Sequence, residues 1–207
     1  MTRTVAYEIA KESDYQSLLS YIFPIIKYHS TWKSFSLKKT PIEYDYHHGQ
    51  YAVYKCKKFT TDPRSMYNDI SEPTLSETSL YWYEKISELC RENDIKLLFV
   101  EMPAEDWSLG KHNVISKLSD SLGADFLDYN YGDVMELCGL SWSGDFYNGY
   151  HLNTKGSIKA SAYLGNYIKQ QYDLNESSIS KKQKNQIEKD VQEFKYEQAN
   201  TQYVEEN

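Results

Sequence analysis

The sequence has no long hydrophobic run and no excess of basic residues, and each absence excludes a class of protein. Its longest apolar stretch, residues 15–28, carries polar residues and is shorter than the about 20 residues that span a membrane. The net charge of −7 argues against nucleic acid as a partner, because binding phosphates requires a basic face. The N-terminus lacks the charged and apolar regions of a signal peptide. As written, the chain is therefore expected in the cytoplasm.

Cysteine is also scarce. The three cysteines, Cys56, Cys90 and Cys138, are odd in number and widely spaced, which favours buried thiols over a disulfide framework or a zinc site. The pair His47–His48 offers two metal ligands, but adjacent ring nitrogens rarely converge and no third ligand is evident. No phosphate-binding loop or dinucleotide fingerprint occurs. The sequence thus predicts no metal and no cofactor.

Hydrophobic spacing predicts an α/β fold. Apolar residues from Leu80 to Leu89 recur at helical spacing, and Thr74 with Glu77 forms a capping-box pattern before them. Gly123 stands where a glycine commonly ends a helix. Short apolar segments alternate with such helices, which indicates right-handed crossovers and a parallel sheet. The predicted strands are 95–101 and 124–129, adjacent and parallel, and the predicted helices are 77–92, 111–122 and 155–171.

The regions outside this pattern differ in character. Residues 40–75 are interpreted as a long irregular loop, a kind of segment that is often functional. The chain is polar from residue 175 onward, where Ile187, Val191 and Phe194 mark a narrow stripe on a predicted helix. That helix is predicted to be mostly solvated and to dock by one edge, with a partner-binding helix as the alternative. The predicted organisation is an α/β domain over 1–174 and a polar helical tail over 175–207.

The stretch "DFYNGYHLNTKG", residues 145–156, combines Asp, Asn and His just before a predicted helix. His151 follows a loop beyond the carboxyl end of a parallel strand, at the edge where open α/β sheets bind ligands. Asn153 or Thr154 is the predicted N-cap. A histidine there can accept a proton from a nucleophile while a carboxylate orients its other nitrogen. A structural role for a histidine at a helix start is the alternative.

The segments "IKLLFVEMP", "HNVISKLSDSLG", "ADFLDYN" and "DFYNGYHLNTKGSIKASAYLGNYI", in this order, resemble the C-terminal half of the SGNH/GDSL hydrolase superfamily. The likeness is closest to bacterial members in surface-polysaccharide clusters. It implies a partial three-layer, flavodoxin-like parallel sheet flanked by helices, and an ancestral esterase or O-acetyltransferase activity on carbohydrate. It also implies that His151 is the catalytic base, with Leu152, Asn153 and Gly156 in supporting positions.

Two departures from the family pattern bear on activity. The family's aspartate lies three residues before the histidine, where this chain has Asn148, and the nearest carboxylate is Asp145. An asparagine can hydrogen-bond imidazole but cannot stabilise imidazolium by charge, a kind of change that costs about 10⁴ in turnover in a Ser-His-Asp system. The family's serine nucleophile follows the first strand of the domain, and nothing in this chain resembles that turn. The serines considered instead lack a strand-turn-helix context: Ser30, Ser34, Ser141 and Ser143.

Aromatic and acidic residues supply weaker candidates. His29, Trp32 and Trp107 are candidates for lining a sugar-binding cleft, because rings stack on the apolar faces of sugars, and core or loop-anchoring roles are the equal alternative. The acids that follow the first predicted strand are expected to be solvated loop carboxylates, with a site formed by them as the alternative: Glu101, Glu105 and Asp106. Asp128 is expected at a strand end, where it caps or orients a loop.

The sequence therefore predicts an N-terminally truncated SGNH-hydrolase-like protein with an incomplete catalytic set. His151 is the base, Asn148 or Asp145 is a weakened orienter, and no nucleophile is present. The expected ligand is a carbohydrate or an acylated polysaccharide, and self-association is expected because a strand has lost its neighbour. If the chain is a fragment of a longer anchored protein, its site acts outside the membrane. The alternatives are a non-catalytic carbohydrate-binding or scaffolding module, and a small esterase that uses a serine near His151.

Overall fold

The structure is a computed structural model that describes residues 47–48, 51–64, 68–172, 174 and 179–206. These residues belong to a compact unit spanning Asp45–Asn207. Within these ranges, no helix is both long and apolar enough to cross a lipid bilayer. Several residues singled out from the sequence lie outside the described residues: His29, Ser30, Trp32 and Ser34.

Short strands and amphipathic helices alternate along the described chain, which confirms the predicted α/β class. The strands are β1 (Lys55–Lys57), β2 (Leu98–Glu101), β3 (Asp125–Asp128), β4 (Phe146–Asn148), β5 (His151–Leu152) and β6 (Val204–Glu206). The helices are α1 (Glu77–Glu92), α2 (Leu109–Leu122), α3 (Val134–Cys138), α4 (Thr154–Gln171) and α5 (Lys181–Asn200).

Strands β2 and β3 are adjacent and parallel, as predicted. The register runs from Leu98 opposite Asp125 to Glu101 opposite Asp128. The backbone N–H of Tyr129 donates to the Glu101 carbonyl at 3.0 Å, which extends the pairing past the last strand residue. Within the described residues this sheet has two strands. The carboxyl ends of β2 and β3 therefore meet at one edge.

Helix α1 has the predicted bounds, but its predicted cap is wrong. The N-cap is Ser76, whose hydroxyl accepts a hydrogen bond from the Ser79 N–H at 3.0 Å. Because Ser76 is itself extended, with φ −66° and ψ 151°, Thr74 lies two residues too early to cap the first turn. Thr74 and Ser76 are both N-cap residue types, which made the cap position ambiguous from sequence.

Helix α2 ends as predicted and begins two residues earlier. Gly123 adopts a left-handed conformation with φ 65°, which a glycine reaches without the strain a side chain would cause. At the other end the hydroxyl of Ser108 accepts from the Lys111 N–H at 3.3 Å. This cap lets the helix include Leu109 and Gly110.

The core lies between β3, the segment that follows α3, and α4. Tyr129 is fully buried, and its hydroxyl donates to the carbonyl of Ala160 on α4 at 2.7 Å. Trp142 stacks on Phe146 with ring centroids 3.8 Å apart. The buried cluster fixes α4 and the chain that leads to β4, and its members are Leu127, Tyr129, Met135, Leu140, Trp142, Phe146 and Ala160.

The quoted stretch is a hairpin rather than a plain loop. Strands β4 and β5 pair antiparallel, with Phe146 opposite Leu152 and Asn148 opposite His151. Two-residue and three-residue strands carry too little hydrophobic alternation to be read from sequence. The hairpin matters for function because its register places Asn148 directly across from His151.

The C-terminal residues form the predicted helix and, in addition, a strand that the sequence did not predict. Helix α5 begins with a capping box of Ser180 and Gln183, and Ile187 and Val191 on it are about half exposed. Strand β6 then pairs in parallel with β1. The interpretation of residues 40–75 as irregular is wrong at β1, because that strand forms through a partner about 150 residues away.

Candidate functional site

The hairpin fixes the chemistry of His151. The Nδ1 atom of His151 lies 3.0 Å from the amide oxygen of Asn148, and that oxygen also accepts from the Tyr150 N–H at 2.9 Å. An amide oxygen only accepts, so Nδ1 carries the proton of the neutral ring. The other nitrogen, Nε2, is then the basic one. The arrangement leaves His151 able to take a proton at Nε2.

The helix start behind His151 is rigidly held. Asn153 is fully buried and is the N-cap of α4, where its side-chain oxygen accepts from the Gly156 N–H at 3.1 Å. Its side-chain nitrogen donates to the Gly144 carbonyl at 2.9 Å. Gly156 is required at this point, because a Cβ there would lie 2.2 Å from the Asp145 carbonyl oxygen. These contacts fix the backbone two residues after the histidine.

His151 opens into a cavity of about 340 Å³. Its ring stacks on Tyr147, with centroids 5.4 Å apart and an interplanar angle of 25°. Met102, directly after β2, contributes to the lining, so the cavity lies at the carboxyl edge of the parallel pair. Aromatic and aliphatic side chains dominate a lining that contains no lysine, arginine or carboxylate: Tyr51, Val53, Met102, Tyr147, Tyr150, His151, Leu152 and Ser157.

Asp145 is hydrogen-bonded to Lys159 and Ser141 and not to His151. Its buried carboxylate accepts from the Lys159 ammonium at 2.7 Å and from the Ser141 N–H at 2.7 Å. The structure thus places Asn148 beside the His151 ring, and among the described residues no hydrogen bond joins Asp145 to it. The side chain opposite the histidine is an uncharged amide.

The serines near His151 fall into two groups. The hydroxyls of Ser141 and Ser143 bond each other at 2.7 Å and line a separate cavity of about 420 Å³ with Trp142. Ser157, on the first turns of α4, lines the His151 cavity and was not singled out from the sequence. In the part of the chain that the structure describes, no serine hydroxyl is hydrogen-bonded to His151. The sequence signal for Ser157 is its position six residues after the histidine, at the amino end of a helix.

Trp107 lies in a buried polar cluster instead of the His151 cavity. Its indole N–H donates to the Asp128 carboxylate at 2.7 Å, and His112 Nδ1 lies 2.8 Å from the same oxygen. The other carboxylate oxygen accepts from the backbone and the side chain of Asn130, at 2.7 and 3.1 Å. Asp128 is therefore buried and bonded by four donors. Trp107 anchors the loop after β2 through this cluster.

Glu101, opposite Asp128 in the parallel pair, is the acid with the most altered environment in this region. Burial, and next the nearby Asp128 carboxylate, raise the pKa of Glu101 to about 7. The sequence prediction of a solvated carboxylate is wrong for Glu101, because the strand end places it half-buried beside a second acid. Among the described residues its carboxyl has no hydrogen-bond partner.

The loop after β2 also reaches the hairpin. The Glu105 N–H donates to the Gly149 carbonyl at 2.8 Å. A Cβ at position 149 would lie 2.0 Å from the Glu105 carboxyl carbon, so a larger residue there would force the Glu105 side chain to move aside. The contact joins the carboxyl end of β2 to the turn that carries His151.

Among the described residues, no three His, Cys, Asp or Glu side chains converge on one point. The two neighbouring histidines contact different carboxylates on α5. His47 Nε2 lies 2.7 Å from Glu197, and His48 Nε2 lies 3.0 Å from Asp190. Both histidines therefore contact the tail helix.

No family model, no curated protein and no solved structure matches this chain.

Proposed function

We propose that this protein is an SGNH-hydrolase-like carbohydrate esterase or O-acyltransferase by ancestry, in which His151 is the base and the described unit by itself supports little turnover. The observation that carries the proposal is the Nδ1 contact of His151 with Asn148 at 3.0 Å, at the mouth of a cavity lined by aromatic rings. The contact leaves Nε2 as the basic nitrogen of a histidine that lines the cavity.

The position in the fold supports this proposal. Ligands of open α/β sheets bind at the carboxyl ends of the strands. Met102 follows β2 directly and lines the same cavity as His151. The pair of β2 and β3 with α1, α2 and α4 is compatible with part of a three-layer sheet, the architecture that the sequence resemblance implies.

The low activity follows from two features. Asn148 is neutral, so it orients the imidazole without stabilising the imidazolium that forms when Nε2 takes a proton, and an analogous change in Ser-His-Asp enzymes costs about 10⁴ in turnover. No serine hydroxyl of the described residues is hydrogen-bonded to His151. A nucleophile normally lies within about 2.6–3.2 Å of its base. The geometry therefore supports a base that lacks its usual partners.

A non-catalytic carbohydrate-binding module is the second candidate, and the cavity lining favours it. Three tyrosines surround the opening, and Tyr51 and Tyr150 are 88% and 51% exposed. Exposed rings stack on the apolar faces of sugars. The absence of lysine, arginine and carboxylate side chains from the lining fits an uncharged sugar better than a phosphorylated one.

Binding of an O-acetylated xylo-oligosaccharide tests the proposal and separates the two candidates. NMR of the chain labelled with ¹³C at histidine Cε1 follows the His151 signal during titration. We expect the acetylated probe to shift this signal, and the same saccharide after deacetylation to bind about tenfold more weakly, because burying one acetyl group contributes about 1–2 kcal/mol. Equal binding of both forms favours the non-catalytic module.

A matched pair of tyrosine variants controls for nonspecific stacking. Tyr150→Ala removes a ring from the cavity, whereas Tyr196→Ala removes one that is 70% exposed on α5. Loss of a stacked ring is expected to weaken binding by about fivefold to tenfold for Tyr150→Ala, with no change for Tyr196→Ala. A similar loss in both variants, or no His151 shift in the wild type, contradicts the proposal.

A further inference from the structure

The last described residues lie against one wall of the His151 cavity. Strand β6 pairs with β1, and the Val204 N–H donates to the Tyr54 carbonyl at 2.9 Å. Tyr51 and Val53, which precede Tyr54 in the same segment, line the cavity. The C-terminal strand therefore continues the backbone pairing of the segment that forms this wall.

Tyr203 contacts Tyr54, which follows that wall in the chain, and the start of α4. Its ring meets Tyr54 edge-on, with centroids 5.4 Å apart. On the other side, the ammonium of Lys155, at the start of α4, lies 4.0 Å from the Tyr203 ring centroid. Burial raises the pKa of the Tyr203 hydroxyl, and hydrogen bonds from Thr154 and the backbone of Lys155 oppose that rise. One side chain of the tail thus packs between the segment before β1 and the amino end of α4.

The two walls also meet directly at this point. The Val53 N–H donates to the Thr154 hydroxyl oxygen at 2.9 Å, and the Thr154 N–H donates to the Val53 carbonyl at 2.9 Å. Thr154 begins the helix whose first turns carry Ser157, and it follows the strand that carries His151. The cavity is consequently assembled from segments 101 residues apart, with Tyr203 packed where they join.

We propose that Tyr203 and strand β6 are positioning elements of the His151 cavity: the docked tail holds the wall of Tyr51 and Val53 against the start of α4. The inference rests on the proposed function only in taking this cavity as the ligand site. Tyr203 itself does not line the cavity, so it acts through Val53 and Thr154. The same contacts give the polar tail a role that its composition did not indicate.

The exposed ion pair between the tail and Lys58 is expected to affect the cavity less than Tyr203 does. Lys58 and Glu205 form an ion pair at 2.7 Å with both side chains about 60% exposed. Exposed pairs of this kind contribute little, because water screens them and both side chains lose rotamer freedom. Lys58→Gln is therefore a matched control that alters the tail interface without touching Tyr203.

The test compares the full chain with four variants: a chain ending at Asn200, Tyr203→Ala, Tyr203→Phe and Lys58→Gln. Two readouts report the cavity without any ligand, namely amide hydrogen exchange of Val53 and the ¹³Cε1 signal of His151. We expect the shortened chain and Tyr203→Ala to speed Val53 exchange by about tenfold, as loss of about one hydrogen bond and one ring contact predicts, and to move the His151 signal. Tyr203→Phe keeps the ring and should stay within about threefold of the wild type, and Lys58→Gln within about twofold.

Val204→Pro covers the case in which the shortened chain fails to fold. It removes the Val204 N–H that donates to the Tyr54 carbonyl and keeps the rest of the tail, so faster Val53 exchange in this variant supports the proposal. Unchanged Val53 exchange and an unchanged His151 signal in both the shortened chain and Tyr203→Ala would overturn it. If the wild type fails to bind the acetylated probe while these two readouts still depend on Tyr203, the proposed function fails and the positioning role stands.

Discussion

Two histidines near the carboxyl ends of β2 and β3 lie in opposite environments. His112 is mostly buried, its Nδ1 lies 2.8 Å from the Asp128 carboxylate, and its ring stacks on Tyr131 at 3.9 Å. His151 is exposed, and its Nδ1 contacts the neutral amide of Asn148 at 3.0 Å. The histidine with the charged partner is thus the one held in a structural cluster, while the histidine at the cavity has a partner without charge.

The comparison shows why a His–carboxylate pair alone does not identify a catalytic site. Asp128 accepts four hydrogen bonds from its neighbours, and these bonds hold the loop after β2 in place. His151 has fewer contacts and an open cavity beside it, which are the properties of a site that meets a ligand. His112 therefore has the charged partner, and His151 has the access to a ligand.

The largest expected effect is on stability, and it separates the two regions. Asp128→Ala removes the acceptor of four buried donors and is expected to lower the free energy of unfolding by about 3–5 kcal/mol. The matched variant Asn148→Ala removes a partly buried amide that contacts His151 and the Tyr150 N–H, and it is expected to cost about 1 kcal/mol or less. Urea unfolding of both variants, followed by circular dichroism, measures the difference. Equal losses of unfolding free energy in the two variants would mean that both histidine pairs stabilise the fold to the same extent.

A smaller effect is expected from Glu101, and it depends on pH. Its pKa of about 7 in the folded state lies above the ordinary value of 4.5, so between those pH values the folded chain holds a proton that the unfolded chain has lost. Stability should therefore fall as the pH rises from about 4.5 through 7, by about 1–2 kcal/mol once the shift is discounted for partial solvent screening. Glu101→Gln should flatten this part of the curve, measured by urea unfolding at pH 5 and pH 8. An unchanged slope in the variant would assign the pH dependence to other groups.

The smallest expected effect is on self-association. It tests whether strand β2 has an unpaired lateral edge. Among the described residues β2 has a single strand neighbour, and Val100 on it is 36% exposed. An exposed strand edge with apolar surface favours association, and a lysine on such an edge opposes it. We expect Val100→Lys to weaken self-association by about tenfold, while the control Ile187→Lys on α5 leaves it unchanged. Sedimentation that shows a monomer for the wild type at all concentrations would contradict this expectation.

The sequence predicted the elements whose signals are local. Helix α1, the end of α2 at Gly123 and the parallel pairing of β2 and β3 are confirmed, because periodicity, a C-terminal glycine and alternation of helices with apolar strands act over short distances. Strands β1, β4, β5 and β6 were not predicted. Each has two or three residues and exists through a partner, and β1 and β6 pair across most of the described chain.

The candidate site divides in the same way. The contact between Asn148 and His151 was within reach of sequence reasoning, because both residues belong to one short stretch. Tyr51, Met102 and Ser157 were not identified, since the cavity draws them from three separate segments. Trp107 was weighed for both a sugar cleft and a loop anchor, and its hydrogen bond to Asp128 supplies the anchor. Composition and spacing carry no information about such long-range assembly.

Hydrolysis of p-nitrophenyl acetate tests most directly whether His151 is a base without a nucleophile. Three forms of the full chain are compared: the wild type, His151→Ala and Ser157→Ala. The prediction is a rate near background for the wild type, a change of less than about twofold in His151→Ala and no labelling by a fluorophosphonate probe, because no serine hydroxyl of the described residues is bonded to the basic nitrogen. Turnover well above background that His151→Ala abolishes would contradict the account, and loss of that activity in Ser157→Ala would identify the nucleophile.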